Sequence, residues 1–127
     1  NGDIVTVEDA AEAKARSGAD GVMIGRGAYG RPWFLRQGMD YLRDGRRRPE
    51  PGLERRHAVM LQHYEGLLDL YGRHHGVRIA RKHLGWYAKG LDGAAEFRAA
   101  MNREEDPDRV KAMIRDLFDL NQQRAAA

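Results

Sequence analysis

The run Asp20-Gly21-Val22-Met23-Ile24-Gly25 constrains this chain more than any other feature. It is short, apolar and bounded by glycines, as a strand buried on both faces of a sheet would be. A strand leaves its N–H and C=O groups open until neighbouring strands bond them, and one strand is not a sheet. Just upstream, Thr6-Val7-Glu8-Asp9 sets a hydroxyl and a carboxylate at capping-box spacing, and an alanine-rich stretch runs through Ala15 to a stop at Gly18. Helix, glycine stop and buried strand make half of a repeating β/α unit. The strand's partners are therefore expected in residues that precede this chain, with Asn1-Gly2-Asp3-Ile4 as the tail of the preceding strand. The chain opens on Asn1 with no methionine, and no signal-peptide pattern follows, so a piece of a longer protein is expected.

Past this unit the periodicity changes. Trp33 to Leu42 predicts a helix, and Asp44-Gly45-Arg46-Arg47-Arg48-Pro49-Glu50-Pro51-Gly52 reads as a charged, proline-containing linker at a domain boundary. From His57, apolar side chains at Met60, Tyr64, Leu67, Leu68 and Tyr71 make the stripe of an amphipathic helix. Ala80, His83, Leu84, Tyr87 and Leu91 make a second stripe, on a helix beginning near Val77. Asp92 is positioned to cap a third helix through Asn102. Asp106-Pro107 is a start signal for a fourth, with Val110, Met113, Ile114 and Leu117 inward and residues 125–127 as a frayed tail. The expected fold is mainly α: a last β/α unit in 1–43, a linker in 44–56 and a helical bundle in 57–124.

Composition limits the chemistry. Cysteine is absent, which excludes disulfides, thiolate metal sites and a cysteine nucleophile within these 127 residues. No apolar run approaches the ~20 residues of a membrane span, and mean hydropathy is −0.73, so no membrane is expected. The net charge of +3 is unevenly placed: residues 1–40 carry −1, residues 41–90 carry +6 and residues 91–127 carry −2. All 5 histidines also fall in the middle segment. Arginine outnumbers lysine 18 to 4, and its planar fork donates two parallel bonds to phosphate. Arginine-favouring codon usage explains the ratio equally well, but not the clustering.

Gly25-Arg26-Gly27-Ala28-Tyr29-Gly30-Arg31-Pro32-Trp33-Phe34 carries the clearest chemical signal. Glycines directly after a buried strand let backbone N–H groups approach an anion, and Arg26 can complete a phosphate cradle. The same spacing suits an ordinary strand-to-helix turn whose glycines supply positive φ. Position favours phosphate, because the last strands of a (β/α)₈ barrel often hold one.

Asn1-Gly2-Asp3-Ile4, Gly21-Val22-Met23-Ile24-Gly25-Arg26-Gly27 and Pro32-Trp33 together resemble the end of the flavin-binding TIM barrel of the bacterial tRNA-dihydrouridine synthase family. A second block, Arg78-Ile79-Ala80-Arg81-Lys82-His83-Leu84-Gly85-Trp86-Tyr87 with Phe97-Arg98 and Asn102, resembles the helical RNA-binding domain of the same family, in its nitrogen-regulation-protein-like branch. The resemblance covers nearly the whole chain as a C-terminal fragment. It implies a cytoplasmic enzyme that reduces a D-loop uridine of tRNA to 5,6-dihydrouridine, with hydride passing from NADPH through FMN. In this family a cysteine supplies the proton. That residue is missing here, so no catalytic residue is assigned and the fragment is expected to be inactive alone. Carried over, Asn1, Gly2 and Asp3 belong to one FMN-contacting loop, and Gly25 and Arg26 to the phosphate loop.

Arg78, Arg81, Lys82, Lys89 and Arg98 are the RNA-binding candidates. At about 100° per residue, Arg78, Lys82 and Lys89 lie within roughly 40° of one another, opposite Ala80, Leu84 and Leu91. The alternative is a merely solvated basic face. His74-His75 reads as a solvated turn and not a metal site, and no metal is predicted. His83 reads as a core histidine; Trp86 lies off the stripe, where it either packs or stacks a base. Arg46-Arg47-Arg48 suits a solvated linker or a nonspecific phosphate contact. Two other readings remain: a free-standing helical RNA- or protein-binding module without catalysis, and another phosphate-binding flavin barrel of the dihydroorotate type, which leaves the basic helical segment unexplained.

Overall fold

The computed structural model describes residues 2–127. It divides into two compact units, Asn1–Glu50 and Pro51–Ala127. Asn1, assigned above to the cofactor loop, lies outside the described residues.

In the first unit, α1 spans Val7–Ser17 and α2 spans Phe34–Asp44, with a 3-10 turn at Arg26–Ala28 between them. The capping box forms as its spacing predicts. The Asp9 N–H donates to Thr6 Oγ1 at 3.0 Å, and the Thr6 N–H donates to the Asp9 carboxylate at 3.0 Å. Gly18 ends α1 in the left-handed region at φ 69°. Ile4, Ala10 and Phe34 form the core, with Val7, Ala13, Val22, Ile24 and Leu42 packed against it.

The expected strand at Asp20–Gly25 is not a strand here; among the described residues there is none. The physical reason is the one that governs any strand: its ladder must come from another segment. Val22 and Ile24 still turn inward onto the small core, as alternate residues of an extended run do.

In the second unit, α3 spans Leu53–Tyr71, α4 Arg73–Ala88, α5 Ala94–Met101 and α6 Pro107–Ala126. The buried stripes are Met60, Tyr64 and Leu68 on α3, with Val77, Ala80, Leu84 and Tyr87 on α4. Phe97 and Met101 on α5, and Val110, Ile114, Leu117 and Phe118 on α6, close the core. The Tyr64 hydroxyl donates to the Pro107 carbonyl at 2.8 Å, and burial pushes its pKa up to about 12. Asp106 caps α6 as expected, accepting from the Asp108 N–H at 2.9 Å.

Several boundaries differ from the sequence reading. Helix α3 begins at Leu53, not His57, so the last residues of the expected 44–56 linker are helical. Helix α4 begins at Arg73, so His74-His75 occupy a first helical turn and not a loop. Gly72 turns the chain at φ +83°, and Gly76 lets α4 cross α3 closely: a Cβ there would stand 2.9 Å from the Leu67 carbonyl oxygen. Asp92 does not cap α5, whose N-cap is Gly93. Instead the Asp92 N–H and C=O are both bonded by the buried Asn121 amide, at 2.9 and 3.0 Å. Tyr71, placed on the first stripe, is exposed. Helix α6 continues through Ala126, into the segment expected to fray.

Candidate functional site

Two clefts gather the residues singled out by sequence, one in each unit.

The first, of about 240 Å³, is lined by Gly2, Asp3, Ile4, Met23, Gly25, Arg26 and Gly27. Gly2, Asp3, Gly25 and Arg26, all assigned to cofactor loops, thus meet in one place. Arg26 reaches Asp3 at 2.5 Å, and both side chains are largely exposed. Local packing explains the loop. A Cβ on the buried Gly27 would stand 1.9 Å from the Ile4 carbonyl oxygen, so only glycine permits this approach. Neither Gly25 nor Gly27 has positive φ, which among these glycines belongs to Gly30 at 71°. Gly27 is therefore present for close packing and not for a positive φ, while Gly25 leaves its backbone open.

Arg31 fastens the loop from behind. Its Nε donates to the Gly27 carbonyl at 2.8 Å, a terminal nitrogen donates to the Val5 carbonyl, and the guanidinium lies 4.1 Å over the Phe34 ring. In the 3-10 turn the Ala28 and Tyr29 N–H groups bond the Gly25 and Arg26 carbonyls, while the Arg26 and Gly27 N–H groups precede those bonds. A Cβ at Gly25 would meet open space. An accessible backbone beside an exposed guanidinium suits a small anion, with Asp3 as the counter-ion an arriving anion would displace.

The second cleft, of about 630 Å³, lies between α4 and α5 and is lined by Arg81, Lys82, Gly85, Trp86, Lys89, Arg98 and Asn102. Four of the five RNA candidates line it, with no carboxylate among them. Gly85 leaves room for the Arg98 methylenes, since a Cβ there would already be in contact with Arg98 Cδ at 3.5 Å. The fifth candidate, Arg78, is placed elsewhere: it pairs with Glu105 at 2.8 Å. Arg81 is half-turned inward, donating to the Glu104 carbonyl at 3.1 Å. Both arginines thereby hold the turn between α5 and α6 against α4.

Behind the cleft stands a ring cluster that the sequence reading did not find. His83 meets Trp86 edge-on, with centroids 5.2 Å apart, and His63 lies 5.0 Å from His83. His63 Nδ1 is 2.9 Å from the Tyr87 hydroxyl. Burial holds His63 below its ordinary pKa; for His83, burial acts first, followed by the charges of His63 and Lys82. The 20-residue separation of His63 and His83 spans two helices, so neither stripe alone could have paired them.

The remaining candidates are engaged locally. Arg46 pairs with Asp44 at 3.8 Å, Arg47 with Glu8, and Arg48 with the buried Asp40. Asp40 also holds Arg36 at 3.6 Å and Arg43 at 3.1 Å, and bonding to Arg48 keeps its carboxyl below the usual range. The basic tract is thus tied down by carboxylates of its own unit. His74 and His75 are exposed, with Tyr71 5.9 Å from His75. Among the described residues no group of three or more His, Cys, Asp or Glu side chains is placed to hold a metal, and no helix is long and apolar enough to cross a membrane.

A family model described as dihydrouridine synthase matches residues 1–123. A probable tRNA-dihydrouridine synthase of Rickettsia bellii is 48% identical over 118 residues, which is 93% of this chain and 36% of that protein. A tRNA-dihydrouridine synthase B of Xanthomonas axonopodis pv. citri is 49% identical over 119 residues, 94% of this chain and 36% of that protein. The one from Pseudomonas aeruginosa is 45% identical over 118 residues, again 36% of its length. The chain therefore spans little more than a third of the curated relatives it matches.

Proposed function

Because the chain belongs to the dihydrouridine synthase family, we propose that it is the C-terminal part of an FMN-dependent tRNA-dihydrouridine synthase that reduces a D-loop uridine with NADPH. In this reading the unit Asn1–Glu50 closes the flavin barrel, and the unit Pro51–Ala127 binds tRNA. The single observation that carries it is the α4–α5 cleft, where four cations and a tryptophan meet without a carboxylate in a chain of this family. RNA affinity rests largely on neutralising phosphates, and a cluster of this kind supplies that term.

Each unit contributes differently. Gly25 and Arg26 present open backbone and a guanidinium to the FMN phosphate, and Gly27 and Arg31 keep that loop in place. The chemistry that FMN supplies when bound is hydride delivery to the uracil ring, with NADPH as its source. Lys82, Lys89 and Arg98 hold the tRNA backbone. The proton donor is assigned to no residue of this chain, which contains no cysteine.

The test compares the complete protein with residues 1–127 alone. The complete protein should add two hydrogens to one uridine of its tRNA, read by mass spectrometry of nucleosides, and retain flavin. The 127-residue chain should bind the same tRNA, form no dihydrouridine and carry no flavin. Stoichiometric flavin on the short chain, or its failure to bind tRNA, would refute the division of labour. Retained tRNA binding by a complete protein that forms no dihydrouridine would favour the binding module.

A further inference from the structure

The inference rests on the reading of the α4–α5 cleft as an RNA surface, and concerns what part of the RNA enters it. With Arg78 on Glu105 and Arg81 partly drawn to the Glu104 carbonyl, the cations that remain for a ligand are Lys82, Lys89 and Arg98. They line the cleft together with Trp86 and Asn102.

A groove that only tracks phosphates has no use for an indole in its wall, because apolar ring surface left facing water is unfavourable. Here the ring is half-buried, and His83 stands at 84° to it, 5.2 Å away, fixing its plane. His83 is itself backed by His63, which is bonded to Tyr87. The tryptophan is thus braced by His83 in a cleft that three cations also line. In a duplex the bases are stacked on each other and their faces are closed to such a ring. An unpaired nucleotide has its face open, and every base can stack on an aromatic side chain. The cleft, at about 630 Å³, lies within the roughly 300–1,000 Å³ of pockets that take small ligands.

We propose that the α4–α5 cleft is a subsite for one unpaired nucleotide of the RNA, its base against the Trp86 indole and its adjoining phosphates on Lys82, Lys89 and Arg98. Asn102 offers its amide to the edge of that base.

Trp86 reports on this directly. The chain has 2 tryptophans, so in Trp33→Phe the emission comes from Trp86 alone. That variant of the 127-residue chain, its fold checked by circular dichroism, is titrated with single-stranded oligouridylate, with duplex RNA of the same length, and with inorganic phosphate. Oligouridylate should quench the emission, phosphate should not, and duplex RNA should bind at least about tenfold more weakly than the single strand. Trp86→Ala should weaken oligouridylate binding by about 5- to 150-fold, the range of one base–aromatic stack, without changing the salt dependence, and Trp86→Phe should restore most of the loss. Undiminished affinity in Trp86→Ala, absent quenching, or equal affinity for the duplex overturns the subsite while leaving phosphate binding in place. Failure of the chain with native Trp33 and Trp86 to bind any RNA overturns the RNA reading itself, and the subsite with it.

Discussion

Replacing Gly76 with alanine should destabilise the Pro51–Ala127 unit, although alanine is the better helix former. A Cβ at this position would stand 2.9 Å from the Leu67 carbonyl oxygen, 2.9 Å from Leu68 Cα and 3.2 Å from Leu68 Cδ2. Ordinary contacts begin near 3.4 Å, so α3 and α4 must part by about 0.5 Å. The two nearest atoms are backbone and cannot rotate aside. Parting the helices loosens Tyr64 and Leu68 against Val77, Ala80 and Leu84, all buried. Overpacking of this kind costs about 1–3 kcal/mol, and rigid neighbours place it in the upper half of that range. Alanine returns about 1 kcal/mol of helix propensity, which leaves a net loss of about 1–2 kcal/mol. Gly66 is the control: it lies within α3, is exposed, and its Cβ would meet nothing within 4 Å. Gly66→Ala should gain about 0.5–1 kcal/mol. At about 4–8 °C per kcal/mol for a unit of this size, thermal unfolding followed by circular dichroism resolves both signs. Gly76→Ala melting at or above the parent, or both variants shifting the same way, would refute the close crossing.

Gly27→Ala should lower the melting temperature of the complete protein by displacing Ile4, whereas Gly25→Ala, with open space at its Cβ, should keep the fold and reduce flavin retention. Asp40 is ionised in a ring of three arginines, with its pKa lowered from 3.8 chiefly by its bond to Arg48. Its contribution is therefore complete above about pH 4 and is lost as pH falls through the lower folded-state value; Asp40→Asn should remove that acid limb from stability–pH curves of the first unit. His63 and His83 act at higher pH: both are held below 6.5, so the unfolded chain binds their protons first. Stability of the second unit should be full above about pH 6.5 and fall as pH drops through that value, a slope that His63→Gln with His83→Gln should flatten.

What could be read from sequence was what is decided locally. The α1 capping box and the Asp106-Pro107 start of α6 depend on residues within three or four positions, and both form as spacing predicts. The beginnings of α3 and α4 were hidden because Glu54-Arg55-Arg56 and Arg73-His74-His75 are charged or polar with no apolar period. Gly76 follows His74-His75, which read as a solvated turn, but it lies within α4 and admits the neighbouring helix α3, which no single helix reveals. Asp20–Gly25, read as a strand, forms none among the described residues, because a strand's ladder has to come from another segment. In the cleft, Lys82 and Lys89 follow from helical periodicity, and motif resemblance adds Arg81 and Arg98. Arg78 shares the helical face of Lys82 but meets Glu105 from a turn 27 residues away, a contact fixed by tertiary packing alone.

If the α4–α5 cleft grips tRNA through its phosphates, its cations set the salt dependence of tRNA binding by the complete protein. Each phosphate contact contributes about 0.7–0.9 to the slope of log affinity against log salt. The triple variant Lys82→Ala, Lys89→Ala, Arg98→Ala should lower that slope by about 2–3, while Arg78→Ala, whose guanidinium is held by Glu105, should leave it unchanged. A triple variant with the parent's slope would rule out phosphate binding by this cleft, as would an Arg78→Ala variant that loses as much per residue as the three cations in the cleft.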